Sequence, residues 1–178
     1  TIFSRCQSLR VLPMSREEVE EVLAGRMGVS PSEAKAKAAV SGGSVGAALS
    51  MIGDKEEYDS FMDLFSDLMN ALVSRDLSSA LECGDQMAAL ESREKQKGFC
   101  TFAAECIRKI FMLQQNLPQL AAVSEEEGAF YSSMAAKCGR KFCSKTITNI
   151  EKVSYMIDRN VNSKILFCDL VNRMFYSI

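Results

Sequence analysis

The sequence predicts an all-α protein: a small three-helix unit followed by a bundle of five or six longer helices. Three observations support this fold class. Apolar residues recur at spacings of three and four through most of the 178 residues. Ser-x-x-Glu sequences and prolines stand where these segments begin or end. No alternating apolar–polar run of useful length indicates a β-strand.

Three short helices are predicted over residues 15–53. Two begin at capping boxes, Ser15–Glu18 and Ser30–Glu33, in which the serine hydroxyl and the glutamate carboxylate each bind a free backbone N–H. Pro31 then occupies the first position of the second helix, where its missing N–H costs nothing. The predicted stops of the first two helices and the cap of the third are Gly28, Gly42-Gly43 and Ser44.

The bundle is predicted over residues 54–178, where the apolar stripes are longer. A long helix runs from about Ser92 to Asn116 and is ended by Pro118. The other predicted helix starts are Asp54, Asp76, the Ser124–Glu127 capping box, residue 142 and Asn162. The residues predicted to face the core include Tyr58, Phe61, Phe65, Phe99, Cys106, Ile110, Met134, Ile150, Ile165, Leu170 and Met174.

Composition narrows the possible functions. The chain has no histidine, which removes the commonest general base and metal ligand. Its seven cysteines include no C-x-x-C pair, so we expect reduced thiols in a cytoplasmic protein and neither a metal site nor disulfides. The cysteines predicted to be small buried apolar residues on helices are Cys83, Cys100, Cys106 and Cys168.

The charge of the chain is nearly balanced, at −2. A free-standing nucleic-acid binder is usually strongly basic, so any DNA contact has to be local or shared with partners. Arg140-Lys141 is the tightest basic cluster and the one to test for DNA or partner contact; the other scattered cations predict a solvated surface. No apolar run reaches the roughly 18 residues of a membrane span, and no signal peptide is recognisable.

Two motifs suggest a family. Residues 1–7, T-I-F-S-R-C-Q, resemble the T-I-x-S-R-C-Q stretch that closes the ATPase domain of bacterial DNA polymerase III clamp-loader subunits, a branch of the AAA+ proteins. Residues 38–50, A-A-V-S-G-G-S-V-G-A-A-L-S, resemble the A-x-x-A-x-G-S-x-R-x-A-L-S segment of the lid domain in the same family. Residues 160–166, N-V-N-S-K-I-L, are similar to the start of the last helix of its collar domain.

The resemblance implies three parts: the tail of an ATPase domain over residues 1–14, a three-helix lid over 15–53 and a helical collar, the oligomerisation domain, over 54–178. The chain opens within a motif and not at a methionine. We therefore expect a C-terminal piece of a longer protein whose phosphate-binding domain precedes it, and no cofactor in the piece itself.

Arg5 matches the arginine of the S-R-C motif, which in this family reaches the ATP of a neighbouring subunit. A guanidinium is always charged and presents a rigid fork of donors, which suits a phosphate whose charge grows in the transition state. The resemblance thus implies that Arg5 is an arginine finger acting in trans. Ser4 and Cys6 are expected to shape the turn that carries it.

Gly46 is where the sequence departs from the family pattern. ATP-hydrolysing members have a nucleotide-sensing arginine there, and the neighbours Val45 and Ala47 offer no substitute. The departure resembles the delta-prime type, which donates a finger but does not hydrolyse ATP in its own site. We therefore expect a chain that is not itself an enzyme but belongs to the DNA polymerase III holoenzyme, a nucleotidyltransferase assembly.

The partners that the resemblance implies are gamma/tau and delta subunits, bound through the collar. Primer–template DNA and the sliding clamp are engaged through the whole complex, and no membrane is involved. Two alternatives stay open: the lid and collar of an ATP-hydrolysing gamma/tau-type subunit, which Gly46 disfavours, and an unrelated helical adaptor, which the S-R-C motif disfavours.

Overall fold

The computed structural model describes residues 12–50, 55–123 and 127–178, and within these ranges it contains helices and no strand. The all-α fold class is confirmed. The chain divides between Lys55 and Glu56 into two units, each with its own apolar core. None of the described helices is both long and apolar enough to span a lipid bilayer.

The first unit contains α1 (Arg16–Met27), α2 (Pro31–Val40) and α3 (Val45–Ser50). The predicted capping box at the start of α1 is confirmed: Glu18 N–H donates to Ser15 Oγ at 3.2 Å, and Ser15 N–H donates to the Glu18 carboxylate at 2.8 Å. Gly28 ends α1 in the left-handed conformation, as predicted. The core of the unit is small and consists of Val19, Leu23, Ala34, Ala38 and Ala48.

The second unit contains the longer helices. They are α4 (Lys55–Val73), α5 (Leu77–Ala88), α6 (Arg93–Gln114), α7 (Pro118–Ala121), α8 (Gly128–Lys137), α9 (Arg140–Ile157) and α10 (Ser163–Ser177). The side chains of Asp76, Ser92 and Asn162 cap α5, α6 and α10, and the sequence predicts these three positions as helix starts. The predicted cap of α4, Asp54, lies outside the described residues.

The predicted long helix is confirmed to within two residues as α6, which ends at Gln114. Pro118 lies beyond this end and is the first residue of the extra short helix α7, where a proline is well tolerated. Two predictions about α10 are wrong. On α10, Ile165 is 67% exposed and Cys168 is exposed as well. The reason is that α10 contacts its neighbours through the opposite side, which carries Leu166, Phe167, Leu170, Val171 and Met174.

Helix α6 lies at the centre of the bundle. It runs antiparallel to α9, as two hydrogen bonds show. Arg93 at the start of α6 donates to the carbonyl of Ile157 at the end of α9 (2.9 Å). Gln114 at the end of α6 donates to the carbonyl of Cys138, just before α9 begins (2.6 Å). Aromatic rings join α4 to this centre, for example Phe61 against Phe99 at 5.5 Å between centroids.

Helix α10 packs against both α5 and α9. Its contact with α5 is close at Gly84, where a Cβ would come within 3.2 Å of Val171 Cγ2. A glycine at this position therefore lets the two helices approach each other. Helix α10 thus packs against α5, which lies early in the sequence of the bundle, and against α9, which precedes it directly.

Candidate functional site

The predicted finger Arg5 and its neighbours Ser4 and Cys6 lie outside the described residues. Their placement stays a prediction. Two parts of the same unit are described and bear on it: the segment of residues 12–14, which follows the first motif, and the second motif at 38–50.

These two parts contact each other at Gly43. The Met14 N–H donates to the Gly43 carbonyl at 2.9 Å. Gly43 has a φ of +81°, and a Cβ there would lie 2.7 Å from Pro13 Cβ and even closer to the Met14 carbonyl oxygen. Only glycine fits this site, for both reasons. Gly43, the second glycine of the motif at residues 38–50, is therefore in direct contact with Pro13 and Met14, which follow the first motif in the sequence.

Gly46 is the second residue of α3, and it is exposed. The only atom near a Cβ built there, within the described part of the chain, is Ser44 Oγ at 3.9 Å. A long side chain would therefore extend freely into solvent from this helix. Within the described part of the chain, lack of space therefore does not force a glycine at this position.

A buried polar cluster, which sequence reasoning missed, joins α4, α6 and the start of α8. We call it the Glu127 cluster; it comprises Tyr58, Cys106, Lys109, Glu127 and Tyr131. The Tyr58 hydroxyl donates to the Glu127 carboxylate, which also pairs with Lys109 Nζ at 3.5 Å. The side chains of Lys109 and Glu127 are only 17% and 18% exposed.

Tyr131 connects Lys109 to Cys106 within the Glu127 cluster. Lys109 Nζ lies 4.9 Å from the centre of the Tyr131 ring, a cation–π contact. The Tyr131 hydroxyl donates to Cys106 Sγ at 3.1 Å. Burial, followed by the neighbouring acidic groups, raises the pKa of both Tyr58 and Tyr131 above the usual value, and burial raises the pKa of Cys106 to about 12.

These protonation states argue against chemistry at the Glu127 cluster. Both phenols and the thiol hold their protons at neutral pH, so none is a ready base or nucleophile. The cluster instead fixes the start of α8 against α4 and α6. The sequence assigned Glu127 to a capping box, whereas it is the residue before the first helical residue of α8. Its partners Ser124–Glu126 lie outside the described ranges.

The described thiols are inert, with one exception. Cys83, Cys100, Cys106, Cys138 and Cys143 are buried, and burial raises the pKa of each. Only Cys168, of the six cysteines in the described ranges, is exposed. In those ranges no group of three or more His, Cys, Asp or Glu side chains is placed to bind a metal ion.

The surface of the second unit carries two contrasting charged regions. An open groove of about 610 Å³ beside α4 and α5 is lined by Asp67, Asp76 and Glu82, with Lys137 at its edge. The exposed side of α9 is basic and includes Lys141 of the predicted Arg140-Lys141 cluster. Both residues of that cluster are exposed and belong to the first turn of α9.

No protein-family model matches the chain, and no curated protein matches it significantly. The motifs and the described geometry are therefore the features of the chain that bear on its function.

Proposed function

We propose that the chain is part of a non-hydrolysing subunit of a bacterial replicative clamp loader, of the delta-prime type. In this proposal it assembles with gamma and delta subunits to load the sliding clamp onto DNA. Arg5 is its arginine finger and reaches the ATP of a neighbouring subunit. The collar-like second unit holds the partners together.

The observation that carries the proposal is the pair of motifs, T-I-F-S-R-C-Q at residues 1–7 and the lid-like segment at 38–50, in the family's order and distance. The contact between Met14 and Gly43 supports it, because it gives a structural reason for a glycine at the second glycine position of the lid-like motif. A plain adaptor would have no need for either motif.

Gly46 supports the non-hydrolysing form over the gamma/tau form. The position is exposed and has room for an arginine, yet it holds a glycine. A subunit that hydrolyses ATP in its own site uses a lid arginine to sense the nucleotide. This chain has no arginine at that position. The finger function needs no such residue, since it acts on a neighbour's ATP.

The test is reconstitution. The chain is produced together with the ATPase domain that the proposal implies and is mixed with gamma and delta subunits from the same organism. Assembly is followed by size exclusion with light scattering. DNA-stimulated ATP hydrolysis is then compared between the unchanged protein and Arg5→Ala. We expect the same complex, with hydrolysis at the site served by Arg5 reduced about 10³-fold or more, the usual contribution of such a finger.

Arg10→Ala is the matched control, since it removes the same charge from the same segment but lies outside the motif. Arg5→Lys tests the fork geometry, because a lysine keeps the charge but cannot donate in the same bidentate manner. Equal hydrolysis by Arg5→Ala and Arg10→Ala would refute the finger. Absence of any complex at micromolar concentrations would favour the adaptor hypothesis.

A further inference from the structure

Helix α9 presents one exposed face with cations at a regular spacing. Positions separated by three or four residues lie on the same side of a helix, and 18 residues of helix extend about 27 Å. The exposed residues that follow this spacing along α9 and just beyond its end are Lys141, Lys145, Thr148, Lys152, Tyr155 and Arg159. We call this set the α9 face.

The charge of this region is one-sided, although the chain as a whole carries −2. Between Lys137 and Arg159 the sequence has six Lys or Arg but only two acidic residues, and one of these, Asp158, already pairs with Lys97 at 2.8 Å. Between Gly128 and Ile150 it has no acidic residue at all. The local balance is therefore that of an anion-binding surface.

The lysines of the α9 face are not used inside the bundle. Within the described part of the chain, Lys141, Lys145 and Lys152 form no ion pair, whereas six other cations do. Three lysine side chains thus extend into solvent from one side of α9. Their charges add up along a line, and Glu151, beside Lys152, is the one acidic residue of this helix.

An aromatic ring lies in the same line. Tyr155 is 56% exposed, and the guanidinium of Arg159 lies 3.4 Å from the centre of its ring. The pair forms a positively charged platform, in which a guanidinium lies over an exposed aromatic ring. Such a platform is suited to a nucleobase, whose flat face stacks on tyrosine and arginine.

We infer that the α9 face binds single-stranded nucleic acid, with its lysines on successive phosphates and Tyr155–Arg159 against a base. A duplex hides its base faces, and an acidic peptide has no group that needs an exposed tyrosine. The phosphate contacts carry no sequence information, so binding is expected to be independent of sequence. This inference rests on α9 alone and does not depend on the role of Arg5.

The test measures the fluorescence anisotropy of a labelled oligothymidylate of about 20 nucleotides, titrated with the 178-residue chain at several salt concentrations. The variant Lys141→Gln/Lys145→Gln/Lys152→Gln is expected to bind at least tenfold more weakly at low salt. Its plot of log affinity against log salt should be shallower by about 2, since each phosphate contact on a single strand contributes about 0.7.

The matched control is Arg16→Gln/Arg26→Gln/Lys35→Gln, which removes the same charge from exposed positions of the first unit. It should bind as the unchanged chain does. Tyr155→Ala should weaken binding about fivefold or more while Tyr155→Phe does not, because stacking needs the ring and not the hydroxyl. Circular dichroism checks that every variant keeps its helices.

Three results would overturn the inference. Equal weakening in the two triple variants would mean a general charge effect. If polyglutamate of equal charge displaced the labelled oligonucleotide as well as unlabelled oligothymidylate does, the α9 face would be assigned to an acidic protein. No anisotropy change at 100 µM chain and low salt would mean that the α9 face is simply a solvated surface.

Discussion

Gly43 shows how much a single backbone position contributes in the first unit. Its φ of +81° lies in the left-handed region, and the space beside its Cα is filled by Pro13 and the Met14 backbone. Gly42 has a φ of +59° as well, but nothing lies within 4 Å of a Cβ built there. Gly42 is therefore required only for its left-handed backbone conformation, whereas Gly43 is required both for its conformation and for lack of space.

We predict that Gly43→Ala destabilises the first unit by more than 2 kcal/mol, whereas Gly42→Ala costs about 1 kcal/mol. A left-handed alanine costs about 1–2 kcal/mol, and only Gly43 adds a clash with backbone. The methyl NMR signals of Val19 and Leu23, both fully buried in this unit, report the loss during a urea titration. Equal losses in the two variants would mean that the contact with residues 13 and 14 contributes nothing.

At the scale of the elements, the Glu127 cluster joins three helices that are distant in sequence. Tyr58 comes from α4, Lys109 from α6, and Glu127 precedes α8. A lysine and a carboxylate that are both more than four-fifths buried stabilise each other, but each is costly if left alone. The position of α8 thus depends on one carboxylate.

We predict that Glu127→Gln lowers the free energy of unfolding by about 1–3 kcal/mol, because it leaves the Lys109 charge without its counter-ion. Glu105→Gln, which breaks the more exposed pair with Arg108, should cost about 0.5 kcal/mol or less. Chemical denaturation measures both.

Adding Lys109→Met to Glu127→Gln should restore part of the lost stability, since no buried charge then remains. This double-mutant cycle isolates the pair from the rest of the cluster. Additive losses in the cycle would contradict the coupling between the two residues.

For the whole bundle, the buried tyrosines and cysteines make stability depend on alkaline pH. Burial raises the pKa of Cys106 from 9.0 to about 12 and that of Cys138 to about 11, and it raises the pKa of Tyr58 and Tyr131 above 10.0. The folded state holds these protons more tightly than the unfolded state does. The resulting stability is fully present below about pH 9 and is lost as the pH rises through the folded pKa values.

We predict that the free energy of unfolding, measured by urea titration, falls steadily from pH 9 to pH 11, by up to about 1.4 kcal/mol per pH unit for each such group. Tyr131→Phe should make this fall less steep above pH 10, whatever its effect at neutral pH. Tyr176→Phe is the control, because Tyr176 is 77% exposed. A pH profile that neither variant changes would show that the buried tyrosines do not titrate with unfolding.

The sequence predicts most features that depend on neighbours in the chain, the capping box assigned to Glu127 being an exception. Ser15 is predicted to cap α1, and Asp76, Ser92 and Asn162 are predicted as helix starts. All four side chains accept a hydrogen bond from a backbone N–H three residues later. The fold class followed from the same local signals. The assignment of Arg5 rests on a motif and stays a prediction.

Features that depend on distant partners were missed. Apolar residues surround most of α10, so spacing alone did not choose which side is buried; α5 and α9 decide this and leave Ile165 and Cys168 exposed. The Glu127 cluster had one weak signal in the sequence, a lysine between the inward-facing Cys106 and Ile110. Its partners come from two other helices, which no local pattern relates.

The pairing of α5 with α10 has a consequence for synthesis on the ribosome. The buried side of α5, with Gly84 placed for close approach, has its partner in residues made after position 162. At about 5–20 residues per second, α5 waits roughly 4–15 s after its own translation for that partner. During this interval we expect its apolar side to be exposed, which is the kind of surface that chaperones bind. The nascent bundle is therefore most prone to misassembly just before α10 emerges.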